Sequence, residues 1–453
     1  MMTEAQALEA LTRQDPAAAD DAKAALRWLT GDEGLGSISL LRLQEFLWRV
    51  LPSQWPLPPR AQLGVARSLG MLLELAGLNR YAQVCTSRET ERIIADYERD
   101  PDEGAAACAE AIETAPATPP DTDLLAWGTL MGPGKRAAYE ACAAALELAV
   151  ACDEIRPGAS GWLTGRAFLT DRWLTQPDAN DGTWLTKISS ERIDDWVHGA
   201  RGERASLARA IVPRLLEPPV TSDLPTLDWL LGRAVGGIRL TSRHYIAPAL
   251  IDEAVDRFGW QDLAPGNRRQ ELSVMPVHTL RTLAAREMGA IRRSGTSLVL
   301  TPAGRAMAAD DAVRWHIGTS ALIGAQDDPH PSFGVSAREG ALLLSLVSGP
   351  LSYEELTVGL TELMSREGWT RRRGDSLAAA VCSEIHGLRH RLRALHLLGT
   401  ADIFTAPISL SPAGTSAALS ALLARALRPR HVLRRAALSA PCLRRGRCAR
   451  ATC

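Results

Sequence analysis

Leu300-Thr301-Pro302-Ala303-Gly304 and Leu410-Ser411-Pro412-Ala413-Gly414 are one five-residue pattern, L-[TS]-P-A-G, repeated at an offset of 110. In each copy an apolar residue ends a strand-like run, a hydroxyl residue stands where a helix is capped, and proline takes the first helical position. Residues 291–301 read as strand, Ser294-Gly295 turn and strand, which predicts a hairpin. Met288-Gly289 before this hairpin and Leu398-Gly399 before the second share the same offset. Helix, hairpin and capped helix are thus expected twice.

The flanking sequence completes both copies. The first has a short apolar strand at 237–241, a helix at 248–258, a Gly/Asn/Arg loop, and a helix with Pro276 inside its start and Gly289 at its end. The second has a helix at 336–347, then Ser352-Tyr353-Glu354-Glu355, which has the spacing of a capping box. An Arg371-Arg372-Arg373 loop leads into a long helix at 376–398. Helix, helix, β-hairpin is the winged-helix plan. Upstream, helical periodicity covers most of the first 220 residues, including 37–51 behind Ser37, 61–78, 87–99 and 133–152. Prolines mark connectors at 52–59, 116–123 and 217–225. The expected class is mainly α. An N-terminal helical region (1–120) and a second helical region with tryptophan anchors (121–222) precede winged-helix modules at 223–325 and 334–427. A disordered basic tail (428–453) ends the chain.

The run of a helix ending in Leu-Gly, a short hairpin, L-[TS]-P-A-G and a closing helix resembles the C-terminal part of MarR- and PadR-type winged-helix regulators. The match covers some 70–90 residues per copy, and the layout of the whole chain is similar to that of actinobacterial proteins. The resemblance implies DNA binding and a role in transcription regulation. The chain departs from those families by carrying two modules behind a large helical region.

Apolar residues make up 46% and charged ones 23% of 453 residues, a globular balance that excludes a disordered chain. No uninterrupted apolar stretch reaches the roughly 18–20 residues of a membrane span, and no basic segment precedes an apolar run at the N-terminus. A cytoplasmic protein without a membrane partner is expected. Residues 1–232 hold 22 basic and 34 acidic residues, net −12; residues 233–453 hold 29 and 18, net +11. Eight of those arginines lie in the tail, so residues 233–427 are only +3. Lysine occurs three times against 48 arginines, a bias of composition, so only the position of an arginine carries an argument.

In the long helix Leu377, Val381, Ile385, Leu388, Leu392 and Leu395 form an apolar stripe, opposite a row of His386, Arg389, His390 and Arg393. In the first module Val277, Leu280, Leu283, Ala284 and Met288 read as buried, with His278, Arg281 and Thr282 outward and Arg286 at the edge. Such polar rows suit a helix in a major groove, and equally the solvated face of a core helix. Arg292 and Arg293 lie at the base of the first hairpin, where a wing straddles phosphates. The second hairpin, 399–410, has Asp402 and no basic residue, which points to a protein contact there. Two readings follow: duplex DNA binding through the first module, or an adaptor whose modules serve assembly and whose acidic N-terminal half recruits a protein partner.

No catalytic site, metal or cofactor is expected. Gly132-Pro133-Gly134-Lys135 lacks the first glycine and the hydroxyl residue of a phosphate loop, because Thr129 and Arg136 occupy those positions. His386 and His390 have i, i+4 spacing without a third ligand, and neighbouring arginines would repel a dication. Asp121/Asp123 and Asp194/Asp195 lack a calcium-loop context. The eight cysteines contain no CxxC pair, and none is expected in a disulfide. Trp162, Trp173, Trp184 and Trp196 recur at 11, 11 and 12 residues and read as packing anchors.

Overall fold

The computed structural model describes residues 2–31, 33–177, 182–200, 202–217, 219–220, 222–263, 270–324, 332–370, 376–399 and 407–430. The Arg371-Arg372-Arg373 loop, most of the second hairpin with Asp402, and the tail beyond Arg430 lie outside the described residues. The fold is mainly helical with one small antiparallel sheet, and it divides into two compact units, Met1–Ile188 and Ser189–Cys453.

The first unit begins with α1 (Glu4–Gln14) and α2 (Pro16–Thr30). Thr3 and Gln6 close a capping box on α1, and the Asp15 side chain caps α2. α3 (Leu40–Glu45) passes through a π-helical turn, Phe46–Val50, into α4 (Leu51–Gln54). α5 (Pro59–Leu75), α6 (Asn79–Cys85), α7 (Arg88–Arg99) and α8 (Pro101–Thr114) complete a core around Phe46, Leu47, Leu69, Leu72 and Ile93. α7 and α8 approach so closely that a Cβ at Gly104 would overlap the Tyr97 ring. α9 (Pro133–Ala151), α10 (Trp162–Thr175) and the start of α11 (Trp184–Gly199) enclose a second core at Trp127, Tyr139, Cys142 and Leu174.

Two details correct the reading of residues 37–59. Ser39, not Ser37, caps α3, because the Ser37 hydroxyl donates to the Gly34 carbonyl in a preceding turn. Pro52 lies within the continuous helical run from α3 to α4, directly after the π-helical turn, so the stiff connector is shorter than its prolines suggest.

The second unit takes in the rest of α11 and α12 (Gly202–Leu215), whereas the proline connector at 217–225 puts the boundary at 222/223. Arg204 on α12 explains the difference. Its buried guanidinium pairs with Glu367 and donates to the Ser336 carbonyl at 3.2 Å, tying α12 to helices some 130–160 residues later. α13 (Pro225–Val235), β1 (Ile238–Arg239), α14 (Pro248–Phe258) and α15 (Met275–Thr282) follow, α15 continuing as a π-helical turn, Leu283–Glu287. Then come β2 (Ile291–Ser294), β3 (Ser297–Leu300), α16 (Pro302–Ala309), α17 (Asp311–Ser320), α18 (Phe333–Ser348), α19 (Tyr353–Arg366), α20 (Leu377–Ala394) and α21 (Pro412–Ala426). The sheet order is β1-β3-β2. One continuous apolar core, from Leu207 through Leu280 and Leu388 to Leu422, joins both repeats. α15 packs on α20, α17 on α21, and α12 on α18.

Candidate nucleic-acid interface

The two L-[TS]-P-A-G corners have the same construction. The Thr301 N–H donates to the Ala290 carbonyl at 2.9 Å, and the Thr301 hydroxyl accepts from the Gly304 N–H at 3.0 Å. The Ser411 N–H donates to the Leu397 carbonyl at 3.0 Å, and its hydroxyl accepts from the Gly414 N–H at 3.0 Å. A Cβ at Gly304 would overlap the Ala290 carbonyl oxygen, and one at Gly414 that of Leu397. The glycine is therefore dictated by a backbone pressed against the first helical turn. Strand pairing repeats as well: Ile238 opposes Leu298 and Ile291 opposes Leu300, while Leu351 opposes Ile408 and Leu398 opposes Leu410.

These pairings revise one half of the sequence match. The corners are 110 residues apart, but Ile291 corresponds to Leu398, an offset of 107, so Leu398-Gly399 is not the counterpart of Met288-Gly289. Gly289 corresponds to His396: both hold the left-handed position after their helix, at φ of 60° and 61°. The segment between the paired positions is thus three residues longer in the second repeat, 398 to 410 against 291 to 300.

The polar row of α15 faces a buried carboxylate that sequence reading did not single out. Glu271, 1% exposed, accepts from Arg281 at 2.8 and 3.0 Å, from the Ile246 N–H at 2.7 Å, and lies 3.0 Å from His278 Nδ1. Its partners stand seven and ten residues away across a turn, a spacing that no helical period marks. The Thr282 hydroxyl donates to the His278 carbonyl within the helix. Arg286 is exposed beyond them.

On α20 the stripe from Val381 to Leu395 is buried as its period requires. The opposite row is only partly open, a departure from its outward reading. His386 is exposed and lies tilted against Tyr353, ring centroids 5.2 Å apart, with His390 stacked beyond it at 6.3 Å. Arg389 is 7% exposed, and His390 and Arg393 are half-buried. Burial, then Arg393, His386 and Arg389, hold His390 below the ordinary histidine pKa. Arg391, outside the row, donates to the Ala321 carbonyl and pairs with Glu287 at 2.9 Å, linking α20 to the end of the α15 helix.

The wing differs. Arg292 and Arg293 on β2 are exposed, as is Arg239 on β1, and among the described residues no carboxylate pairs with any of the three. Arg239 escaped the sequence reading, although Ile238-Arg239-Leu240 alternates as a half-buried strand does.

Elsewhere, Lys135 at the start of α9 is buried and donates to the Leu130 carbonyl at 2.9 Å, so its ammonium serves a loop. Trp196 donates to Glu339 at 2.8 Å, and Trp184 stacks under Lys187. Among the described residues no three His, Cys, Asp or Glu side chains are placed to hold a metal ion, and no helix is long and apolar enough to cross a membrane. Comparison with protein-family models, with curated proteins and with solved structures gives no match to this chain.

Proposed function

We propose that this is a non-enzymatic tandem winged-helix protein whose first module contacts the backbone of duplex DNA through its wing, in a transcription-associated role. The winged-helix reading is supported by the order α13, β1, α14, α15, β2, β3 with sheet order β1-β3-β2, and by the same corner and strand pairs in the second repeat. The observation that carries the DNA reading is the exposed, carboxylate-free pair Arg292 and Arg293 on β2. The hairpin fixes where the two side chains start, and the planar guanidinium fork matches phosphate oxygens and loses less freedom per hydrogen bond than an ammonium does. In this reading His278 and Arg281 maintain the module by neutralising Glu271, and the wing makes the contact. Fluorescence anisotropy with a labelled duplex tests it. Binding at about 50 mM salt should weaken steeply by 200 mM, with a log–log slope near −0.9 per phosphate neutralised. No binding at 50 mM refutes the proposal.

The adaptor reading has its own support. α15 packs on α20 and one apolar core runs through both repeats, so both third helices are engaged in assembly. A protein partner on the second module or the acidic N-terminal half, with no duplex affinity, is what that reading requires.

A further inference from the structure

We infer that the DNA-contacting surface is the outer face of the β1-β3-β2 sheet, with Arg239 and Arg292 as paired phosphate ligands, and that it reads the backbone without reading bases. The inference rests on the DNA reading above and goes beyond it in naming the face and the ligand chemistry, successive phosphodiesters of a duplex. Register places the groups. Arg239 opposes Ser297, Ser297 opposes Ser294, and Arg292 opposes Val299. Directly opposed residues share a face, and neighbours alternate, so Arg239, Ser297, Ser294, Val299 and Arg292 lie on the side away from buried Ile238, Leu298 and Ile291. β1 and β2 flank β3, and Arg292 stands two residues along from Ser294, the residue in line with Arg239, which sets the two arginine backbones about 12 Å apart. Two hydroxyl groups, Ser294 and Ser297, lie between them as further donors to phosphate oxygen.

The second repeat acts as an internal control. It forms the equivalent pairings as isolated bridges, with Ser352, the cap of α19, after Leu351 and Gly399 after Leu398, in place of Arg239 and Arg292. The architecture therefore does not require arginine at either position. The arginines packed inside the unit answer a structural demand: Arg204 pairs with Glu367, Arg281 with Glu271, Arg338 with Glu384 and Arg391 with Glu287. Those on the sheet face answer none. Base readout would need a third helix, and α15 and α20 pack against each other.

The test measures affinity of the full chain for two duplexes of equal length and unrelated sequence between 50 and 200 mM salt. The parent and the variants Arg239→Ser, Arg292→Ser and Arg293→Ala are compared, and thermal melts of each establish intact folding. The parent should bind both duplexes within about threefold, and Arg239→Ser and Arg292→Ser should each lower the slope by about 0.9 and the 50 mM affinity roughly tenfold. If Arg239→Ser leaves slope and affinity unchanged while Arg292→Ser or Arg293→Ala weakens binding, the contact is confined to the hairpin; the inference falls and the DNA reading stands. A hundredfold preference for one duplex overturns backbone-only binding. Absence of binding by the parent at 50 mM overturns both.

Discussion

Replacing Arg281 with alanine separates a structural arginine from a DNA-reading one. The substitution strips Glu271 of two charge-assisted hydrogen bonds, at 2.8 and 3.0 Å, and leaves a carboxylate only 1% exposed with the Ile246 N–H and His278. Removing one partner of a buried pair costs about 3–5 kcal/mol, because the remaining charge cannot regain its hydration. The Arg281 side chain is itself 20% exposed, which places the cost at the lower end, about 3 kcal/mol. For a body of some 250 residues this lowers the melting temperature by roughly 6–12 °C. Differential scanning calorimetry of the full chain should show the loss in the transition of the second unit. Glu271→Gln should also destabilise, and Glu271→Gln/Arg281→Ala should cost less than the sum of the two, since the double variant leaves no buried unpaired charge. An Arg281→Ala protein that melts within about 1 °C of the parent, with duplex affinity reduced, would refute this assignment and return Arg281 to the proposed DNA contact.

Two further outcomes follow from other contacts. Gly304→Ala and Gly414→Ala each drive a Cβ into a carbonyl oxygen that the corner needs as acceptor, and each should cost about 1–3 kcal/mol by chemical denaturation; an unchanged midpoint for either would show that the corner relaxes freely. In the first unit burial alone would raise the Glu140 carboxyl, but hydrogen bonds from Arg136 and Arg42 overcome it and hold the group below the ordinary glutamate pKa of 4.5. A carboxyl lowered by folding contributes stability that is present above that value and lost as pH falls through the folded value, so Glu140→Gln should lower stability at pH 7 and flatten the acid limb of a melting-temperature profile. Identical acid limbs in parent and variant would remove Glu140 from the account.

Helix ends were the most legible feature, because they depend on short-range chemistry. The Ser352/Glu355 box, the Thr301 and Ser411 caps and the proline-first start of α9 stand where local pattern places them. Ser37 and Ser39 were not separable in sequence, since only the chain path shows that one hydroxyl is already engaged by Gly34. The repeat was legible at its corners and misaligned before them. Leu-Gly is a common helix ending, and His396 in the left-handed conformation carries no sequence mark comparable to Gly289. Glu271 was illegible because a charged residue in a short turn reads as solvated until its partners arrive from the next helix and from the β1 connection.

The candidate site shows why periodicity identifies a buried face more securely than an exposed one. A 3.6-residue stripe requires that one side of a helix be covered, and it says nothing about what covers the other side. In α15 and α20 both sides have company: each helix packs within its own repeat and also against the other. The polar rows were therefore drawn into internal work, His278 and Arg281 to Glu271, and Arg389 into a buried position. The strand alternation of β1 and β2 carries a stronger implication. A sheet packed on one face leaves the next residue nowhere to go but outward, so Arg239 and Arg292 are exposed by the same period that buries Ile238 and Ile291. In a chain this rich in arginine, abundance cannot mark an anion site. A guanidinium that the fold exposes, that no carboxylate neutralises among the described residues, and that the sister repeat replaces with serine or glycine can mark one.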